Sequence, residues 1–151
     1  MKKIILLALI ATTLVFESNA QSVQYKVITS IESIVPMGLG RSRIVEEKSP
    51  IDAQSFTTDR TDGKKSKQGK VKRKDAKVSL FSETKLLNFY SVAGINFQNI
   101  ASNDALISSK INTLVADGWE LAFVTSAVES DSGKGDGKGI FITRYIFKKM
   151  I

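Results

Sequence analysis

The first twenty residues limit what this chain can fold into, because their pattern is not that of a folded domain. Lys2 and Lys3 precede an apolar run from Ile4 to Phe16, and small residues follow as far as Ala20. This is the three-part layout of a secretory signal peptide. The apolar run is shorter than the roughly 20 residues that a helix needs to span a bilayer. We therefore expect cleavage between Ala20 and Gln21, and export to the periplasm or the medium.

The segment left after cleavage, residues 21–151, is long enough for a single domain with a modest core. The whole chain contains no cysteine and no histidine. Disulfides, a thiolate nucleophile and a lipid anchor on cysteine are therefore excluded, and so are Ser-His-Asp and Cys-His sites. The commonest metal ligands are also missing, so we expect no metal and no cofactor. The composition favours an exported protein that is not an enzyme.

The excess positive charge lies in one segment of the chain. The formal net charge is +7, and eight basic residues fall between Lys64 and Lys77 against one acidic residue, Asp75. The rest of the exported chain holds 12 basic and 13 acidic residues. From about residue 48 to 76 the sequence is polar and has few large apolar side chains. We predict that this stretch is a mobile insertion within the domain.

Two groups of basic residues are candidates for binding an anion. The first lies in the insertion and consists of Lys70, Lys72, Arg73 and Lys74. The second is a turn in which Gly38 and Gly40 precede Arg41 and Arg43, where backbone N–H groups and guanidinium groups can converge on an anion. Outside the cytoplasm the expected partners are anionic envelope polysaccharides, lipid headgroups or another envelope protein. The basic run lacks the aromatic residues that stack on single-stranded nucleic acid, and a solvated loop without a ligand is an equally open interpretation.

Periodicity predicts an α+β fold, with an antiparallel or mixed sheet of four to five strands and one main helix packed on one face. Alternating or apolar patterns indicate strands at 24–35, 41–47, 79–93, 119–128 and 140–147. A helix is predicted between a cap at Asn103 or Asp104 and a stop at Gly118. Its apolar stripe contains Ile107, Ile111, Leu114 and Val115, while Lys110 is expected to face away. Trp119, after the helix, is expected in the core.

The glycine-rich segment from Gly133 to Gly139 has neither the spacing of a Walker loop nor that of a dinucleotide fingerprint, and it precedes a strand. We interpret it as the loop of a hairpin. Two further functions stay open. A carboxylate-dependent hydrolase could use Glu120, or Glu129 with Asp131. A structural envelope component could pair with another chain through the aromatic strand Phe141–Phe147, which this hypothesis places at an edge of the sheet.

Three segments resemble a small bacterial domain family of unknown function. They are Tyr25-Lys26-Val27 in the first strand, the helix end Lys110 to Asp117 with Gly118-Trp119-Glu120-Leu121, and the terminal strand Arg144 to Lys149. The resemblance covers about 70 residues. It implies a small α+β domain and brings no activity or catalytic residues. The signal peptide and the basic insertion depart from the compact pattern of the family.

Overall fold

A computed structural model describes residues 22–35, 41–60, 63, 72, 74–130, 134 and 139–151. Its regular elements follow one another along the chain as strands, a short 3₁₀ helix and one long helix. They are β1 (Val23–Ser33), β2 (Arg43–Glu47), the 3₁₀ helix (Ala53–Phe56), β3 (Phe81–Lys85), β4 (Tyr90–Ser91), β5 (Gly94–Ile95), α1 (Phe97–Ala116), β6 (Glu120–Glu129) and β7 (Ile140–Met150).

Five strands form one antiparallel sheet in the order β3-β2-β1-β7-β6, and β4 and β5 form a separate small hairpin. The two longest strands, β1 and β7, pair over eleven residues at the centre, from Val23 opposite Met150 to Ser33 opposite Ile140. One face of the sheet carries the core. The predicted α+β fold, with five strands and one main helix, is confirmed.

The core lies between the sheet and α1. Its buried members come from both central and outer elements: Ile28, Ile44, Leu86, Leu114 and Phe147. Ile107, Ile111 and Trp119 are partly buried and pack against this cluster. The apolar stripe predicted for the helix is thus confirmed for its first three residues, whereas Val115 is 51% exposed. Trp119, which was expected in the core, is partly buried and packs at the margin of the core.

The helix starts earlier than predicted. Its N-cap is Asn96, whose extended backbone lets Oδ1 accept a hydrogen bond from the Asn99 N–H at 3.1 Å. Asn103, the predicted cap, lies within the helix and is fully buried. Both asparagines suit a cap by residue type, so local sequence could not separate them. The C-terminal end was predicted correctly, since Gly118 follows the helix with a φ of +85°.

Several strands differ from their predicted form. The stretch 79–93 contains two short strands, β3 and β4, instead of a single strand. In β6 the pairing with β7 shifts between Leu121 and Phe123, so the alternation predicted from Trp119 onwards is interrupted by a bulge. The other strands lie close to their predicted positions. Of the insertion at about 48–76, residues 61–62, 64–71 and 73 lie outside the described residues, and its mobility stays a prediction.

The aromatic strand is not at an edge of the sheet, and this corrects the pairing hypothesis made for Phe141–Phe147. Strand β7 is hydrogen-bonded to β1 on one side and to β6 on the other, so its backbone groups are already used. The strands at the ends of the described sheet order are β3 and β6. The high apolar content of β7 reflects a central position, which sequence alone could not distinguish from an exposed aromatic edge.

Candidate functional site

Three lysines converge on one buried carboxylate at one end of the sheet. The Glu46 side chain on β2 is only 3% exposed, and its Oε1 lies 3.0 Å from Lys26 Nζ and 2.8 Å from Lys48 Nζ. Its Oε2 lies 2.5 Å from Lys110 Nζ. These four residues are called the Glu46 cluster below. Because three ammonium groups surround one carboxylate, the cluster has an excess of two positive charges.

The strand register explains how two of these residues meet. Glu46 pairs with Ile28, and because side chains alternate along a strand, Lys26 lies on the same face of β1 as Ile28. Lys48 is the first residue after β2, and its backbone N–H donates to the Leu80 carbonyl at 2.9 Å. This bond holds the end of β2 to the residue before β3, and the β1–β2 register places the same end beside Lys26.

The helix supplies the third lysine because a buried amide fixes its position on the sheet. Asn103 Oδ1 accepts from the Leu87 N–H at 2.7 Å, and Asn103 Nδ2 donates to the Leu87 carbonyl at 2.8 Å and to Glu32 Oε1 at 3.1 Å. Lys110 lies seven residues further on, two turns along the same side of the helix. The prediction that Lys110 faces away from the sheet was therefore wrong.

The electrostatics of the cluster keep Glu46 ionised. Burial alone would raise the pKa of this carboxyl, but hydrogen bonds from Lys110, Lys48 and Lys26 outweigh it and lower the pKa to about 2. A carboxylate with such a pKa is not a general acid or base near neutral pH. The side chains of Lys26, Lys48 and Lys110 are 21%, 41% and 23% exposed, so the lysines of the cluster stay partly in contact with solvent.

Trp119 joins the cluster to a further lysine. Lys26 Nζ lies 5.6 Å from the centroid of the indole ring, and Lys149 Nζ lies 6.0 Å from it. Lys149 Nζ also donates to the Asp117 carbonyl at 2.8 Å, at the C-terminus of α1, where the helix dipole favours a cation. Four lysines are thus arranged around one carboxylate and one aromatic ring.

The basic insertion begins and ends beside the Glu46 cluster. The hydrogen bond between the Lys48 N–H and the Leu80 carbonyl joins its two limbs. Of the predicted anion-binding residues, Lys72 and Lys74 are exposed. Lys70 and Arg73 lie outside the described residues. The fold therefore places the base of the predicted loop site next to lysines that sequence analysis had not connected with it.

The second predicted site lies elsewhere and is already occupied by a carboxylate. Arg43, at the start of β2, donates from Nη1 to both carboxylate oxygens of Glu83, at 2.9 and 3.0 Å. A cavity of about 230 Å³ there is lined by Ser42, Arg43, Glu83 and Lys85. Arg41 is exposed, and Gly38 and Gly40 lie outside the described residues. Arg43 is roughly 10 Å along the strand from Glu46 and on the opposite face, so the fold does not join the two predicted sites.

Two of the carboxylates proposed for a hydrolase, Glu120 and Glu129, lie far apart, whereas a pairing of Glu129 with Asp131 stays a prediction. Glu120 and Glu129 are at opposite ends of β6, roughly 30 Å apart for an extended strand. The Glu120 carboxylate lies 3.2 Å from Lys148 Nζ, and Asp131 lies outside the described residues. Across the described ranges, no group of three or more acidic side chains is arranged to hold a metal ion. None of the helices in those ranges has the length and apolar character needed to cross a bilayer.

Comparison with protein-family models, with curated proteins and with solved structures returned no match.

Sequence reasoning missed the Glu46 cluster, although two signals for it were present. Glu46 follows Ile44 by two residues, which places a carboxylate on the buried face of a strand. Lys110 lies three residues after Ile107 and four before Leu114, within the apolar stripe of the helix. Glu46 and Lys110 are thus charged residues of opposite sign at buried positions of a strand and a helix. Buried charged residues are usually paired, so this pattern indicates that the two can meet.

Proposed function

We propose that this chain is an exported, non-enzymatic binding domain whose basic end contacts anionic polymers of the cell envelope. One observation carries the proposal. The Glu46 cluster, with its excess of two positive charges, lies at the base of the insertion that contains eight basic residues between Lys64 and Lys77. The basic end is defined here as this cluster, Lys149 and the insertion. In this proposal the lysines of the cluster and those of the insertion act on the same anionic polymer.

A polymer suits this region better than a small molecule does. The lysine side chains of the cluster are between 21% and 41% exposed, and each ammonium group is already held by Glu46, by Trp119 or by both. Such an arrangement gives an open, positively charged surface rather than an enclosed pocket for one ligand. A polymer with sulfate, phosphate or carboxylate groups binds to such a surface because its counterions are released.

Three features support a binding role over a catalytic one. The chain has no histidine or cysteine, the low pKa of Glu46 removes it from proton transfer at neutral pH, and Glu120 and Glu129 are far apart. Export is the part of the proposal that depends on the first twenty residues. Protein recovered from the envelope fraction should begin at Gln21, and protein that keeps Met1 in the cytoplasm would contradict export.

Binding to heparin and to lipopolysaccharide tests the contact. The parent protein should bind both in low salt, and binding should weaken steeply between about 50 and 200 mM salt. A variant with serine at Lys70, Lys72, Arg73 and Lys74 should lose most of this binding and keep the fold.

The matched control removes the same number of charges from the far end of the sheet. It carries serine at Arg41, Arg43, Lys85 and Lys134. This variant should bind nearly as well as the parent. Equal loss in both variants would show that net charge, or the turn with Arg41 and Arg43, contributes as much as the insertion does, and a parent that does not bind would overturn the proposed function.

A further inference from the structure

Among the residues that the structure describes, the outer edge of strand β6 is unprotected. It runs for ten residues, all of them exposed, and within the described ranges no strand pairs with its outer side. Between Glu120 and Glu129 its sequence has no charged residue and no proline. Natural sheets usually protect such an edge with charges, proline or short length, because its free N–H and C=O groups accept another strand.

The opposite edge of the sheet is protected. Strand β3 is only five residues long and carries Glu83 and Lys85, with Glu83 held by Arg43. Charged side chains and short length are common features of edges that do not pair. The two edges of this sheet are therefore not equivalent, and β6 is the one suited to an added strand.

Apolar side chains are exposed on both faces of β6. Leu121 and Val124 lie opposite Phe147 and Tyr145, on the face that carries the core, and they are 38% and 44% exposed. Phe123 points to the other face and is 60% exposed. If the added strand belongs to a second folded sheet, side chains of that sheet can cover part of these apolar groups on both faces of β6. An isolated peptide strand would cover less of them.

We propose that a second copy of this chain pairs with β6, antiparallel, to form a dimer with a continuous ten-stranded sheet. Self-pairing about a two-fold axis uses the unprotected edge of both copies and closes the assembly. Pairing of β6 with β3 of another copy would instead match ten residues to five, meet Glu83 and Lys85, and leave open chains. Full end-to-end alignment would place Glu120 opposite Glu129 of the partner, so the repulsion favours a staggered register.

The absence of cysteine makes the dimer directly testable. Full-length chain is expressed and the exported protein purified with single substitutions Phe123→Cys, Val124→Cys, Thr125→Cys, Ser126→Cys or Ala127→Cys. A residue that pairs with itself across the axis has a Cα–Cα distance of about 4.5–5.5 Å, within the range of a disulfide. Mild oxidation should therefore give one sharp maximum of cross-linked dimer along β6. The control Glu83→Cys, at the centre of β3, should give no cross-linked dimer under the same oxidation, because β3 lies at the opposite edge of the sheet.

A charge placed in the edge gives an independent result. The parent should show a dimer mass by light scattering at about 100 µM, since strand addition buries an area at the low end of stable interfaces. Thr125→Lys places two like charges close to the axis and should weaken the dimer by at least tenfold. Ser109→Lys, which adds the same charge on an exposed position of α1, should leave it unchanged. Circular dichroism checks that both variants keep the parent's fold.

Each possible result of these experiments either supports or overturns the proposed β6 dimer. A monomeric parent with a flat cysteine profile would overturn the proposal, and preferential cross-linking at Glu83→Cys would assign the pairing to β3 instead. If Thr125→Lys does not fold, the cysteine profile alone decides. None of these measurements depends on anion binding, so the dimer and the proposed function can fail separately.

Discussion

Replacement of Glu46 by glutamine tests the electrostatic account of the fold. Glutamine keeps the shape and the acceptor oxygen, but it leaves Lys26, Lys48 and Lys110 without a counter-charge. The fall of the Glu46 pKa from 4.5 to about 2 corresponds to about 3 kcal/mol at roughly 1.4 kcal/mol per pKa unit. Because the lysines are partly exposed, solvent screens the interaction, and we expect a loss of about 2 kcal/mol in the free energy of unfolding.

The assay is urea unfolding at pH 7, followed by the fluorescence of Trp119. The matched control is Glu120→Gln, which removes a carboxylate that is 71% exposed and paired with Lys148. An exposed pair of this kind contributes little, so the control should change stability by less than about 0.5 kcal/mol. Comparison of the two variants separates the effect of the buried carboxylate from that of one lost charge.

The pH dependence gives the same quantity by a second route. A carboxyl whose pKa is lower in the folded state stabilises the protein above its unfolded pKa, and this contribution disappears as pH falls through the folded pKa. The parent should therefore lose about 2 kcal/mol between pH 4.5 and about pH 2, relative to Glu46→Gln. Equal stability of parent and variant at pH 7, or a difference that does not change over this range, would refute the reasoning.

Three further predictions concern packing and exposure. Asn103→Ala should lower the free energy of unfolding by about 2 kcal/mol in the same urea assay, because the Leu87 N–H and C=O lose their partners in a partly buried site. The exposed Asn112→Ala should have little effect, and equal losses in the two variants would contradict this. Trp119 fluorescence should be quenched more by iodide than by caesium in Stern–Volmer titrations, since two ammonium groups lie within 6.0 Å of the ring centroid and attract the anion. Methionine at Lys26 and Lys149 should remove this preference, and equal quenching of the parent by both ions would argue against such an environment. Limited trypsin digestion, analysed by mass spectrometry, should cut first between Lys64 and Lys77 and leave the two parts associated, because the segment has little apolar surface to bury. First cuts within the sheet would contradict this prediction.

Local pattern was enough to predict the main elements. Strand alternation around Ile28 and Ile44, the apolar stripe at Ile107, Ile111 and Leu114, and the stop at Gly118 each follow from a short stretch of sequence. They were predictable because the period of an element and the residue that ends it are local properties. The start of the helix was not, since Asn96 and Asn103 suit a cap equally well and only burial of Asn103 separates them.

The candidate site was determined by the tertiary structure. Lys26, Glu46 and Lys110 come from β1, β2 and α1, and no local pattern states that these elements meet at one end of the sheet. The same holds for the edge of the sheet, because β6 and β7 are both apolar and only the strand order makes β6 the outer one. The sequence by itself determined that the insertion is basic and that no catalytic site of this chain can use histidine or cysteine. Pairing between distant segments decided which charges meet and which strand is left exposed, since both depend on the register of strands far apart in the chain.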